Sequence, residues 1–183
     1  NPIFADNAIL QAGKAVRICG NGEGEIEVTL GSLSCSTIAK NGCWSVEFDS
    51  QNYGTICDLT ARSADGTVTA KNVIFGDVYL LAGQSNMQFK LREGVQDGEI
   101  YECEDIRLFS TERIEEGEKF HPCDGWVRCT KDTAPHFSAI GYLYRLSNLT
   151  GLSKSESTGE RKRCFPIIVW DEKYRYFSSS LYW

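Results

Sequence analysis

The sequence predicts an α/β domain preceded by a small β-sandwich-like domain, and three patterns support this division. Polar and apolar residues alternate over Glu25–Leu30 and Trp44–Phe48, which is the period of a half-buried strand. Turn dipeptides separate such runs: Asn21-Gly22, Asn41-Gly42 and Asp65-Gly66. From about residue 73 the pattern changes to a continuous apolar run, Val78–Ala82, typical of a parallel strand buried on both faces. We therefore assign residues 1–72 to the sandwich-like domain and 73–183 to the α/β domain.

Two further apolar runs and one helical pattern follow in the second domain. Ile106–Phe109 reads as a strand, and Ile167–Trp170 would supply another. Residues 138–149 place apolar side chains at helical spacing, namely Ile140, Leu143, Tyr144 and Leu146. A strand, a crossover, a second strand and a helix indicate an α/β layer fold. Because so few strands cannot close a core, we expect this domain to be incomplete.

Composition narrows the classes of function. The chain has 183 residues, of which 42% are hydrophobic and 24% charged, as in an ordinary globular protein. Its formal net charge of −6 argues against nucleic-acid binding, and the cluster Arg161–Arg163 is interpreted as solvated. There is no apolar run of roughly 18 residues, so no transmembrane helix is expected.

The chain has eight cysteines, and their placement indicates whether the protein resides in a reducing or an oxidising cellular compartment. Several of them, such as Cys19 and Cys57, lie in strand-like runs, where a free thiol acts as a small hydrophobic group. We therefore favour a reduced, cytoplasmic setting. The alternative is a secreted protein with a Cys35–Cys43 bridge across a hairpin, in which Asn148-Leu149-Thr150 would be a glycosylation acceptor.

The most informative stretch is Gly76–Met87, in which an apolar strand leads into a polar cluster around Ser85. A serine at the carboxyl end of a buried strand occupies the place where open α/β sheets bind their ligands. Gly83 permits a sharp turn there, and the arrangement suits a serine that attacks an acyl carbonyl. The spacing is not the G-x-S-x-G nucleophile elbow, because Met87 stands at the second glycine position.

This stretch closely resembles the nucleophile block of the sialate O-acetylesterase family, which belongs to the GDSL/SGNH hydrolases. Its members read Gly-Asp-Val-Trp-Leu-x-x-Gly-Gln-Ser-Asn-Met, and the present chain differs only by Tyr79 in place of tryptophan. Other segments also resemble the family and extend the match over about residues 1–146. They are Pro2–Asn7 with Leu10-Gln11, Val16–Gly20, Gly42–Val46, Trp126 and Phe137–Tyr142.

The resemblance implies an SGNH-hydrolase-like domain, a flavodoxin-like three-layer fold, and a serine esterase that removes acetyl groups from sugars. Sialate 9-O-acetylesterase is the nearest activity, with O-acetylated sialic acid as an example of the substrate. Ser85 would be the nucleophile, and Gln84 and Asn86 would fix its loop or stabilise the oxyanion. No cofactor, metal, nucleic acid or membrane partner is implied. The oligomeric state is left open.

The resemblance stops after about residue 146, and residues 147–183 do not match the family. The expected Gly-Gly strand, Gln-Gly-Glu-x-Asn segment and late Asp-x-x-His motif have no counterpart in this sequence. We interpret this as a truncation or a shifted reading frame. The only histidines, His121 and His136, are interpreted as loop or capping residues. Since one lost oxyanion donor costs on the order of 10²–10³ in rate, we expect little turnover from this chain alone.

Two other interpretations stay open. His121, Cys123, Cys129 and His136 are residue types that bind zinc, although their spacing matches no standard module. An inert carbohydrate-binding or structural module is the alternative function. In it Trp44 or Tyr53 would stack on a sugar, against the favoured reading that Trp44 fills the sandwich core.

Overall fold

The structure is a computed structural model that describes residues 2–83, 85–94, 103–110, 125–144 and 165–171. The strands are β1 Ile9–Gln11, β2 Val16–Asn21, β3 Glu25–Leu30, β4 Leu33–Ile38, β5 Cys43–Phe48, β6 Ile56–Ser63, β7 Gly66–Gly76, β8 Tyr79–Gly83, β9 Cys103–Ser110, β10 Val127–Cys129 and β11 Phe165–Asp171. The helices are α1 Ser85–Gln88 and α2, residues 139–144, with short 3₁₀ helices at Pro2–Phe4, Leu91–Glu93 and Ala134–His136.

Strands β1 to β7 form two sheets. One has five strands in the order β1-β7-β6-β3-β4, with β1 parallel to β7, and the other is the antiparallel pair β2-β5. The alternation predicted for β3 is present, because Ile26, Val28 and Leu30 are buried and Glu25 and Glu27 are exposed. Side chains from both sheets share one hydrophobic cluster. Burial of these alternating apolar positions holds this part of the chain together.

A two-residue turn joins β4 of the larger sheet to β5 of the smaller one. Asn41 and Gly42 have φ values of 54° and 76°, and Lys40 and Cys43 exchange backbone hydrogen bonds of 2.8 and 3.1 Å. Two positive φ values in sequence define the type I′ turn that Asn-Gly favours. This turn therefore carries the chain from one sheet to the other.

Strands β8 to β11 form a third sheet in the order β10-β9-β11-β8. Strands β8, β11 and β9 run parallel, and β10 pairs with β9 in the antiparallel direction. The third strand predicted at Ile167–Trp170 is confirmed, and it lies between β8 and β9. Buried residues of β9 pack with the segments around α2 in a second hydrophobic cluster, which consists of Leu91, Ile106, Leu108, Cys129, Ala134, Phe137, Ala139 and Tyr142. These parallel strands and their helices confirm the α/β character.

Arg107 on β9 connects the third sheet to the five-stranded sheet. Its side chain is buried, with 5% of its surface exposed. Its Nη1 donates hydrogen bonds of 2.7 Å to the carbonyl oxygens of Asn7 and Asn72, and one of 3.4 Å to that of Ala8. A charged donor that satisfies buried carbonyls in this way is among the stronger polar contacts in proteins.

An aromatic pair adds to this contact between sheets. The rings of Phe109 and Trp126 lie 5.0 Å apart, and both side chains belong to the hydrophobic cluster of the first two sheets. The indole Nε1 of Trp126 donates to the carbonyl oxygen of Ile3 at 2.9 Å. The predicted boundary at residue 72 falls inside β7, and the division into two domains stays a prediction.

The burial predicted for β8 is wrong. The strand begins at Tyr79, because the Val78 N–H donates to Gln11 Oε1 at 3.0 Å instead of joining the ladder. Leu80 is 50% exposed, so the strand is not buried on both faces. The physical reason is position: β8 is the last strand of the sheet in the part of the chain that the structure describes.

The apolar face predicted for α2 is also wrong. Ile140, Leu143 and Tyr144 are exposed, and the buried side chains are Ala139 and Tyr142. The helix starts at residue 139 and is described to residue 144, so Leu146 lies outside the described residues. The large apolar residues therefore do not mark the buried face of this helix, because the small side chain of Ala139 takes the position that faces the core.

Four cysteines of the first two sheets, Cys19, Cys35, Cys43 and Cys57, are free thiols. The alternative Cys35–Cys43 bridge is therefore not formed in this structure. The cytoplasmic setting stays a prediction. Across the described residues, no helix is long and apolar enough to cross a membrane.

Candidate functional site

Ser85 lies directly beyond the carboxyl end of a parallel strand. Strand β8 ends at Gly83, and Ser85 is the first residue of α1. The neighbouring strand β11 places Asp171 beside Gly83, and β9 places Ser110 beside Val169 of β11. Three parallel strands thus end at one edge of the sheet, next to the helix that Ser85 opens. This edge is where α/β sheets bind ligands.

The segment before β8 is fixed to the first sheets. The N–H of Ala12 donates to the carbonyl oxygen of Gly76 at 2.8 Å. The hydroxyl of Tyr53 donates to Asp77 Oδ1, and Gln11 accepts the Val78 N–H as described above. These bonds set where the serine-bearing strand begins.

The segment after α1 is fixed to the start of α2. Leu91 donates its N–H to Phe137 O, and Ala139 donates its N–H to Phe89 O, both at 2.9 Å. Met87 packs against the second hydrophobic cluster, to which Leu91 and Phe137 belong. Short helix α1 is therefore held between β8 and α2, although four residues alone would not form a stable helix.

His136 is poorly placed to act as the base for a serine. It is exposed, and Nη1 of Arg92 lies 3.3 Å from its Nδ1. Because an arginine can only donate, this contact is a hydrogen bond only when Nδ1 accepts, and it then occupies the lone pair of that nitrogen. His121 lies outside the described residues.

The residues that flank the nucleophile are described in part. Asn86 is exposed on α1, and Gln84 lies outside the described residues. Their predicted roles in fixing the loop or stabilising an oxyanion stay predictions, as does the role of Ser85.

The structure gives the zinc interpretation little support. Cys129 is buried in the second hydrophobic cluster, whereas His136 is exposed and contacts Arg92. His121 and Cys123 lie outside the described residues. Among the residues that are described, no three or more His, Cys, Asp or Glu side chains gather as a metal site would require.

Trp44 is half-buried and packs against the first hydrophobic cluster, although it is not one of the buried residues that fill this core. Its indole lies so close to β2 that a Cβ atom at Gly20 would be 2.6 Å from Cζ2. Its Nε1 donates to the carbonyl oxygen of Asn21 at 3.2 Å. Tyr53 is more exposed, and its hydroxyl is engaged by Asp77.

Sequence reasoning missed two arginines that shape this region. Arg107 joins the sheets, and its signal was a charged residue inside the apolar run Ile106–Phe109. Arg92 contacts His136 from a segment without periodic pattern, so only the fold shows that the two residues meet.

The fold of this chain is similar to that of a solved structure. A solved carbohydrate acetylesterase from Xanthomonas citri superimposes with a TM-score of 0.75 at 21% sequence identity. The match covers 92% of this chain and 39% of that chain. The chain therefore has an α/β, hydrolase-like fold.

Sequence similarity adds a particular relative. The sialate O-acetylesterase of Rattus norvegicus is 27% identical over an alignment 155 residues long, and the match covers 71% of this chain. The match covers 27% of the rat protein, so the chain spans about a quarter of that relative's length. A comparison with protein-family models finds no match. The resemblance to the sialate O-acetylesterase family is confirmed.

Proposed function

We propose that this chain is the nucleophile-bearing part of a carbohydrate O-acetylesterase of the SGNH type, with a flavodoxin-like three-layer fold. One observation carries the proposal: Ser85 opens α1 at the carboxyl edge of three parallel strands. The block around this serine matches the family's nucleophile block. The two similar proteins are named as acetylesterases, one for carbohydrates and one for sialate.

The proposed reaction is acyl transfer through Ser85. The serine Oγ attacks the acetyl carbonyl of the sugar ester while its proton passes to a base, and the sugar leaves as the free alcohol. Water then attacks the acetyl-serine and releases acetate. The backbone N–H of Ser85 would stabilise the oxyanion, and Asn86 and Gln84 would hold the loop. The substrate class is an acetylated sugar, such as 9-O-acetylated sialic acid.

The rate of this chain alone should be low. Nδ1 of His136 faces Arg92, and neither His136 nor His121 follows a motif of the family. Removing one member of a serine triad still leaves on the order of 10³–10⁴ in rate over water, through oxyanion binding and substrate positioning. The proposal therefore expects a weak activity that depends on Ser85 and rises when a base is supplied.

The test is hydrolysis of p-nitrophenyl acetate by the wild-type chain and Ser85→Ala, each with and without added imidazole. Imidazole can serve as the base, and its own background reaction is subtracted with a protein-free sample. The matched control is Ser45→Ala, an exposed serine on β5. We expect Ser85→Ala to lower the protein-dependent rate at least about tenfold, with Ser45→Ala unchanged. Equal rates for all three proteins would contradict the proposal.

The alternative, an inert module that binds sugar through Trp44, is less well supported. The indole packs on Gly20 and against the core, which uses surface that a stacked sugar would need. Isothermal titration with O-acetylated sialic acid separates the two readings. Binding that survives Trp44→Ala and is lost in Ser85→Trp would locate the ligand at the serine.

A further inference from the structure

Two Asn-Gly dipeptides lie side by side at one end of the β2-β5 pair. Asn21 ends β2 and is followed by Gly22, and Asn41-Gly42 is the turn that precedes β5. In this dipeptide the backbone nitrogen of the glycine can attack the side-chain amide of the asparagine, because glycine has no Cβ atom to obstruct the approach. Both asparagines are exposed, so access of water does not distinguish them. Any difference in their reactivity comes from the surrounding structure.

The peptide group between Asn21 and Gly22 is hydrogen-bonded at both ends. Its carbonyl oxygen accepts the indole Nε1–H of Trp44 at 3.2 Å, and its N–H donates to the Gly42 carbonyl oxygen at 3.0 Å. The side-chain Oδ1 of Asn21 also accepts the thiol of Cys43 at 3.8 Å. Attack on the side chain requires this peptide group to rotate, which would break both of its backbone bonds.

The peptide group between Asn41 and Gly42 has no such restraint. Within the residues that the structure describes, neither its carbonyl oxygen nor its N–H forms a hydrogen bond. Its rotation requires at most that the flanking backbone bonds between Lys40 and Cys43 open, which is a local event.

The space around the two glycines differs in the same direction. A Cβ atom placed on Gly22 would lie 3.2 Å from Ile26 Cδ1 and 3.4 Å from Trp44 Cδ1, whereas one placed on Gly42 would meet nothing within 4 Å. The backbone at Gly22 is therefore packed against side chains, and the backbone at Gly42 is free to move.

We propose that Asn41 is a site of spontaneous deamidation, and that its conversion precedes and promotes the conversion of Asn21. The Gly42 nitrogen loses its proton to solvent and bonds to Cγ of Asn41, and the side-chain nitrogen leaves as ammonia. Water then opens the resulting five-membered succinimide at one of its two carbonyl carbons. The product is aspartate or isoaspartate, and water is the only other reactant.

The two sites are coupled through the Gly42 carbonyl. Isoaspartate adds one carbon atom to the backbone between β4 and β5, so the two-residue turn no longer has the type I′ geometry that it needs. The Gly42 carbonyl then moves away from the Gly22 N–H that it accepts in the intact turn. The peptide group after Asn21 loses one of its two restraints, and its side chain becomes open to the same reaction.

The test is incubation of the folded chain at mildly alkaline pH, with samples digested by trypsin and analysed by mass spectrometry. Cleavage after Arg17, Lys40 and Arg62 places the two sites in separate peptides, 18–40 and 41–62. We expect Asn41 to convert at least about tenfold faster than Asn21, because two hydrogen bonds restrain only the second site. Conversion of Asn21 should begin after a lag. In urea the two rates should converge, since both dipeptides are then unfolded.

The variant Asn41→Gly tests the coupling, because a Gly-Gly turn keeps the type I′ geometry and cannot deamidate. Asn21 should then convert slowly and without acceleration, and an unchanged thermal midpoint shows that the variant is folded. Equal rates at the two sites of the folded chain, or a ratio that persists in urea, would overturn the proposed selectivity. Conversion of Asn21 without a lag in the wild-type chain, or at the same rate in Asn41→Gly, would overturn the coupling.

Discussion

The first seven strands and the serine-bearing sheet differ in how far apart their partners lie in the sequence. Two pairs among the first seven strands, β3-β4 and β6-β7, are antiparallel neighbours joined by short turns, and the apolar residues of β3 alternate as the pattern predicts. Strand β8, by contrast, pairs with β11, which begins at Phe165. When strands so distant in sequence pair, a long loop must close first, and the entropic cost of closing it is met before any contact between the strands forms.

The difference teaches that the serine sheet depends on contacts outside itself. Arg107 and Trp126 connect it to the first sheets, and the start of β8 is fixed by Gln11. The first sheets have their own cluster of buried residues, which includes Phe109 and Trp126. We therefore expect damage to the first core to spread to the serine sheet.

The largest effect is expected from Phe75→Ala, in the core of the first sheets. Phe75 has no exposed surface, so its truncation leaves a cavity and should lower the free energy of unfolding by about 3–5 kcal/mol. Hydrogen exchange should become faster in β9 as well as in β7. Val68→Ala, at an exposed position of β7, is the control. Faster exchange confined to β1–β7 would show that the two regions are independent.

The contact between the regions can be broken at Arg107. Arg107→Met leaves the carbonyl oxygens of Asn7 and Asn72 without this donor, and we expect a loss of about 1.5–3 kcal/mol in urea denaturation. Arg128→Met is the matched control, because Arg128 is the exposed register partner of Arg107 on β10. If both variants lost the same stability, the buried guanidinium would have no special role.

A smaller effect inside the first region is expected from Gly20→Ala. The new Cβ would lie 2.6 Å from Trp44 Cζ2, so the indole must move, at a cost of about 1–3 kcal/mol. Chemical denaturation gives the value. In a double-mutant cycle, Trp44→Leu should remove most of the penalty because the clashing ring is gone. Additive effects of the two substitutions would contradict the proposed clash.

The smallest expected effect is on the alkylation rate of the Cys57 thiol. Burial raises the pKa of this thiol, and the negative charge of Asp58 raises it further. At a given pH less thiolate is present, so iodoacetamide should modify Cys57 more slowly than exposed Cys43. Asp58→Asn removes the charge and should speed the reaction of Cys57 alone. Mass spectrometry of the alkylated peptides measures both rates. An unchanged Cys57 rate in Asp58→Asn would contradict the claim that the charge of Asp58 raises the pKa of this thiol.

Particular residues show which features of the fold and of the site can be predicted from the sequence. Alternation predicted the bounds of β3, and Asn41-Gly42 predicted the turn between β4 and β5, because both signals are local. The exposure of Leu80 depends on the position of β8 in its sheet, which no local pattern contains. In the site, the block around Ser85 predicted a serine after a strand, and the structure places it there. The contact between Arg92 and His136 needed the fold.

The central claim is that Ser85 is the nucleophile of an acetylesterase, and trapping of the acyl-enzyme tests it most directly. The chain is mixed with p-nitrophenyl acetate and imidazole, quenched in acid, digested and analysed by mass spectrometry. The account predicts an acetyl group on Ser85 that forms before acetate accumulates, with no acetylation of Ser45 in the same sample. Acetylation at lysines only, equal in wild type and Ser85→Ala, would contradict it.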